Sequence, residues 1–206
     1  MFKKCLYYLV SVMIMIVALN GCASTPSGQP AIKSFKDYPD HTFNPKEYVR
    51  GMEKGAHRLL IWQDPSVDLK KYNSVRITNF GDQLLPAQDR FSYDPFTKKF
   101  NLSFQTTLTL PKDDSESSLL IEGALVECNP GSRAARYLVG FGAGKSAGAV
   151  VCEIYEPDKS RPCLRIYARD TGSMGVFGGD SVSFLNRIFE QVAIRLSTVV
   201  ETRIGQ

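Results

Sequence analysis

Residues 1–22 are the part of this chain least able to join a globular fold, and they bound what the rest can be. Met1-Phe2-Lys3-Lys4 gives a positive start. Residues 6–19 follow as an apolar run of fourteen, broken only by Ser11. Asn20, Gly21 and Cys22 close it. A charged start, a short apolar centre and small residues at its end describe an export signal. The centre falls short of the about 20 apolar residues that a membrane-crossing helix requires. Residues 23–30, Ala-Ser-Thr-Pro-Ser-Gly-Gln-Pro, are small, polar and turn-forming, as a flexible tether would be.

Leu19-Asn20-Gly21-Cys22 resembles the lipobox of bacterial lipoproteins, with cleavage between Gly21 and Cys22. The resemblance implies that the Cys22 sulfur receives a diacylglycerol, that residues 1–21 are removed, and that the new amino group is acylated. It implies a place as well. Ala23 after the cysteine, where an aspartate would favour the inner membrane, favours the outer membrane, with the domain in the periplasm. Each buried methylene contributes about 0.8 kcal/mol and one acyl chain holds only marginally, so several chains are needed for durable attachment. The covalent lipid on Cys22 is the one non-protein group expected, with no other cofactor. A plain signal peptide and an uncleaved anchor are the competing readings.

Removing 21 residues from 206 leaves 185, enough for one domain with a real core. Hydrophobic residues make up 43% and charged residues 22%, both ordinary for a globular chain. The formal charge of +4 falls to about +2 once Lys3 and Lys4 leave, too little to argue for nucleic acid. Three cysteines remain beyond Cys22, namely Cys128, Cys152 and Cys163, so at most one internal disulfide can form.

The expected organisation is a signal over 1–21, a lipidated cysteine and tether over 22–43, and one domain over 44–206. Residues 32–42 show no period and read as a linker or an extended arm. Asn44-Pro45-Lys46-Glu47 has the cap, the proline and the acid that open a helix, expected to run to about Lys54. Residues 59–62 suggest a brief strand. Residues 71–80 alternate, with Val75 and Ile77 on one face and Arg76, Thr78 and Phe80 on the other, as in a central strand. Phe96, Phe100, Phe104 and Leu108 recur every four residues and mark one face of a helix, although Thr106, Thr107 and Thr109 favour strands. That stripe suits core packing better than a ligand groove. Residues 119–128 read as a strand, and 147–155 with 163–169 as a hairpin. Residues 132–137 suggest a helical turn, and 171–179 a glycine-rich loop. Leu185, Ile188, Phe189, Val192, Leu196 and Val199 define a terminal helix capped by Asp180 or Ser181 and running to about Thr202. Together these predict an α+β fold, a mostly antiparallel sheet with helices packed on one face.

The chemistry-bearing candidates are few. Gly140-Phe141-Gly142-Ala143-Gly144-Lys145-Ser146 ends like a phosphate loop, but Val139 stands where that motif needs glycine, and a strand pattern follows instead of a helix. Two histidines, His41 and His57, fall in the irregular first third, and no Gly-x-Ser-x-Gly elbow occurs. No catalytic residue and no metal site is expected, since the cysteines are dispersed and zinc needs three or four ligands at workable spacing. Face parity separates Cys152, which shares a face with Val150 and Ile154, from Cys163, which goes with Arg165, Tyr167 and Arg169. A bond between Cys128 and Cys152 stays open, against three free or buried thiols. Arg165, Tyr167 and Arg169 would line the solvent face of the hairpin, with Lys159 and Arg161 nearby. That basic and aromatic face suits an anionic polymer or a partner protein, and a plain solvated sheet face explains it too.

Ser132-Arg133-Ala134-Ala135-Arg136-Tyr137-Leu138-Val139-Gly140-Phe141-Gly142-Ala143-Gly144-Lys145 resembles the signature of an uncharacterised bacterial lipoprotein family, the domain of unknown function forty-four-ten. The following hairpin and the helix after Gly178-Gly179 fit its layout from about Tyr72 to Val200. The hairpin turn departs from the family's Asp…Gly form, with Glu156 and Ser160 instead. The family supplies no catalytic residue to carry over. Its layout is similar to the α/β domains of envelope lipoproteins such as the curli secretion channel subunit and the lipoprotein activators of peptidoglycan synthases. The resemblance implies a non-catalytic binding or assembly module, held to the membrane through the lipid and meeting an envelope protein or a peptidoglycan-associated partner. A peptidoglycan-enzyme regulator, a secretion-channel subunit and, less readily, a periplasmic enzyme are the alternatives. Oligomeric state is not readable.

Overall fold

The computed structural model describes residues 33–87, 92–131, 145–172 and 180–205. In chain order the elements are helix α1 (Pro45–Tyr48), strands β1 (Glu53–Lys54), β2 (Leu60–Gln63) and β3 (Val75–Ile77), helix α2 (Asp94–Thr107), strands β4 (Leu119–Asn129), β5 (Ser146–Tyr155) and β6 (Leu164–Gly172), and helix α3 (Ser181–Ile204). The fold is α+β, as the pattern predicted. The strands form one sheet in the order β1-β2-β6-β5-β4-β3. Every neighbouring pair is antiparallel except β3 with β4, which is parallel.

The inner face carries the main core. Phe96, Phe100 and Phe104 are buried along α2, and the rings of Phe100 and Phe104 stack with centroids 5.9 Å apart. The expected stripe is therefore a packing face, and the helix persists through Thr106 and Thr107 because that burial outweighs their strand preference. Leu185, Ile188, Phe189, Val192, Leu196 and Val199 bury α3 against the same core. Asp180 caps α3 by accepting from the backbone N–H groups of Val182 and Ser183. Cys128, Cys152 and Cys163 are all free and buried, so no disulfide forms between them.

Three expectations change. Residues 71–80 do not make a central strand. Strand β3 is only three residues long and lies at the sheet edge, and beyond it the chain bends so that Phe80 joins Val75 in the core. Phe80 rests on Gly123, where an added Cβ would sit 2.1 Å from its Cε1. Helix α1 stops at Tyr48 instead of Lys54, after which Gly51 turns the chain at φ +79.

The third change concerns the domain boundary. The compact unit begins at Lys33, not at Asn44. Residues 33–52 form a strap across the outer face of the sheet, where Phe35, Tyr38 and Tyr48 are buried. Their apolar contacts include Leu84, Ala124, Ala149, Val151 and Tyr167. Residues 33–43 lack a period because they meet the sheet through isolated aromatic side chains and not through a repeating element.

Candidate functional site

The outer sheet face brings three charged strand residues, Glu122, Glu153 and Arg165, into one row. Glu122 on β4 stands opposite Glu153 on β5, and Glu153 opposite Arg165 on β6. Two like charges side by side in a sheet are unfavourable unless each has a partner. Here the strap supplies them. Lys36 forms an ion pair with Glu122 and lies over the Tyr155 ring, 4.5 Å from its centroid.

Glu153 is completely buried. One carboxylate oxygen accepts from Ser34 Oγ at 2.6 Å and from the Tyr155 hydroxyl at 2.5 Å. The other accepts from the Phe35 N–H and from the Tyr48 hydroxyl, both at 3.0 Å. Arg165, buried as well, donates through Nη2 to the Tyr48 carbonyl at 2.7 Å, and its guanidinium lies 4.3 Å from the Tyr48 ring centroid. Its Nε stands 3.6 Å from Glu153 Oε1, close enough for charge attraction but too far for a hydrogen bond. Both buried charges of the sheet thus direct their hydrogen bonding largely at the strap.

These groups hold their protons tightly. Burial, reinforced by the adjacent Glu153 charge, raises Tyr48 well above its ordinary value, and Arg165 opposes only part of that. The same two causes raise Tyr155. Burial, and then Glu127, pushes Tyr167 up to about 12. A carboxylate already accepting four hydrogen bonds, among protonated phenols, acts as a fastener for the strap.

The sequence grouped Arg165, Tyr167 and Arg169 on one exposed face. The alternation was read correctly, but the exposure was not. Arg165 and Tyr167 are buried under the strap, because Tyr48 and Phe35 cover that end of the hairpin. Only Arg169 reaches solvent, and it makes a two-pronged pair with Glu127 at 2.6 and 2.9 Å across the intervening Ala149. Ser34, Tyr48, Glu153 and Tyr155, which complete the buried cluster, were not singled out from the sequence. The readable signal was Glu153 itself, a lone acid on a strand otherwise made of small and apolar residues.

An open cleft of about 190 Å³ lies beyond Tyr155, between Arg76, Ser118, Glu156 and Lys159. Its rim carries both charge signs. His41 directs Nδ1 at the Leu85 carbonyl, and His57 lies exposed on the β1–β2 turn. Among the described residues, no group of three His, Cys, Asp or Glu is placed to hold a metal ion. Gly21, Cys22 and residues 132–144, which carry most of the family signature and the glycine run, lie outside the described residues, as do the tether and residues 173–179. Ser146 opens a strand, as the pattern after Gly144-Lys145 predicted, and not the helix that follows a phosphate loop.

Fold and site together define an α+β domain with its main core on one sheet face and its own N-terminal segment latched to the other. Residues 101–176 match the family described as a domain of unknown function (DUF4410), which is the family the sequence resembles. The match runs from within α2 past the end of β6. No curated protein matches the chain. Among solved structures, the PelC dodecamer from Paraburkholderia phytofirmans is 10% identical, with 67% of this chain and 94% of that one covered and a TM-score of 0.42. A minor lipoprotein from Acinetobacter baumannii is 9% identical, with 64% and 94% covered and a TM-score of 0.35. A DUF4136 family protein from Bacteroides thetaiotaomicron is 8% identical, with 71% and 96% covered and a TM-score of 0.37. None of the described helices is long and apolar enough to cross a membrane.

Proposed function

We propose that this chain is a non-catalytic cell-envelope lipoprotein, lipidated on Cys22, held at the outer membrane and serving as a binding or assembly module in the periplasm. The observation that carries the reading is the order of residues 1–23. A positive start, a fourteen-residue apolar run and Leu-Asn-Gly-Cys-Ala follow one another without interruption. The composition of residues 23–30, small, polar and turn-forming, supports it as that of a tether. The domain would work close to the bilayer, and tethering would raise its effective concentration against partners in or on that membrane. The buried carboxylate with its full set of donors supports a role in holding structure over a role in catalysis.

Radiolabelled palmitate tests the anchor. The wild-type chain should take up label, and Cys22→Ser should take up none while appearing soluble in the periplasm or keeping its signal. A wild-type chain that is exported normally yet carries no label would sink the proposal.

A further inference from the structure

The strap serves only part of the outer sheet face. It completes the row of Glu122, Glu153 and Arg165, and in the row beside it reaches only Tyr155. In that second row Arg76 on β3 stands opposite Leu120 on β4, and Leu120 opposite Tyr155 on β5. Neither neighbour offers Arg76 a carboxylate. Its Nε is buried without a hydrogen-bond partner, and among the described residues its guanidinium joins no ion pair. A guanidinium is always charged and presents its donors in a fixed fork, so a buried one left without an acceptor is unfavourable. Arg76 lines the cleft of about 190 Å³, and none of residues 34–48 does.

The other lining groups define what can meet this charge. Lys159 adds a second cation, and Glu116, Glu156 and Asp158 add three acids. The Tyr72 hydroxyl donates to Glu156 at 2.9 Å and fixes that carboxylate. Asp158 sits at φ 59 in a turn closed by the Lys159 N–H on the Glu156 carbonyl at 3.2 Å. With acids outnumbering cations, a multiply charged anion is repelled, whereas a lone carboxylate beside an ammonium finds a partner for each charge. Leu120 and Pro157 supply apolar surface between them. Sites for drug-sized ligands enclose about 300–1,000 Å³, so this smaller cleft suits a ligand on the scale of a residue or two.

We propose that the cleft binds an amino-acid-like zwitterion, a free amino acid or a short peptide, with its carboxylate on Arg76 and its ammonium among Glu116, Glu156 and Asp158. The site is independent of Cys22, so its failure would leave the anchor reading standing.

Calorimetric titration of the full-length chain in detergent micelles, with alanyl-alanine as the probe, tests this. The wild-type chain should bind the dipeptide saturably, at about 1 mM or tighter. Acetylating the probe's amine, or amidating its carboxylate, should each weaken binding by about tenfold or more. Alanine as a competitor separates the two sources: displacement at equal concentration marks a free amino acid, and its absence a peptide. Arg76→Gln should abolish saturation at an unchanged thermal midpoint, because its guanidinium makes no bond within the fold. Asp158→Asn keeps the turn, since asparagine accepts the left-handed region. It should weaken alanyl-alanine and tighten N-acetyl-alanyl-alanine, a pair of opposite shifts that a disturbed fold does not produce. The proposal is overturned if the wild-type chain shows no saturation in the millimolar range, if Arg76→Gln binds the dipeptide as the wild type does, or if inorganic phosphate binds more tightly than the dipeptide.

Discussion

Glu153 and Arg165 illustrate how a buried ion pair can serve specificity more than raw stability. Taking both charges out of water is costly, and the pair persists because hydrogen bonds from the strap complete it. Removing one charge strands the other. Glu153→Gln should lower unfolding free energy by about 3 kcal/mol, and Arg165→Met by a similar amount. The double variant should cost clearly less than the sum, which urea denaturation of all three chains would read as coupling. The buried phenols set a second expectation. Tyr38 and Tyr167 are pushed up to about 12, and Tyr48 and Tyr155 are raised too. Below about pH 10 these phenols are protonated in both folded and unfolded chains. Above it the unfolded chain releases protons that the folded chain keeps, so stability falls as pH climbs. The thiols of Cys128 and Cys163, pushed up to about 12 by burial, act in the same direction from about pH 9. Urea midpoints measured from about pH 8 to about pH 11 should therefore decline steadily. Strand alternation had already placed Arg165 and Tyr167 on the polar side. What it could not convey is that a distant segment of the same chain closes over that side.

At the level of elements, the long ones were legible, and of the short ones the four-residue β2 was read as a strand whereas the edge place of β3 was not. Helices α2 and α3 repeat their apolar residues over 14 and 24 positions, and strands β4, β5 and β6 run for 11, 10 and 9 residues, so each pattern has room to declare itself. Strand β3 has three residues, too few for a period, and its edge position depends on Leu119, Leu120 and Ile121, which pair with it from more than forty positions away. Its continuation through Phe80 depends on Gly123. A Cβ there would stand 2.1 Å from the Phe80 ring and 2.3 Å from the Val151 carbonyl, which belongs to the backbone and cannot swing aside. Gly123→Ala should therefore destabilise by about 2 to 3 kcal/mol, seen as a lowered thermal midpoint. A midpoint unchanged from wild type would mean that Phe80 does not lie where it is described.

Across the whole molecule, the two faces of the sheet are unequal. The inner face is closed by two long helices around a continuous core, and the outer face by a strap with a smaller cluster. The strap leads into the sheet through the two-residue strand β1 that follows it. Its amides should exchange with solvent by a partial opening that leaves β4, β5 and β6 protected, a separation measurable by hydrogen exchange with mass spectrometry. Equal protection of residues 34–48 and of β5 would show that the two faces open together. The family likeness was legible in the glycine-rich signature, which lies within the matched residues 101–176. The latch was not, since it rests on single side chains brought together from far apart.

That distance has a consequence for the order of assembly. Ser34 meets Glu153 across 119 positions of sequence. In a chain delivered from its N-terminus, the first folded residues to emerge must wait for nearly all the others before they find their place. During that interval Phe35, Tyr38 and Tyr48 have nothing to cover, and the newborn protein displays a greasy leading end that a chaperone could hold.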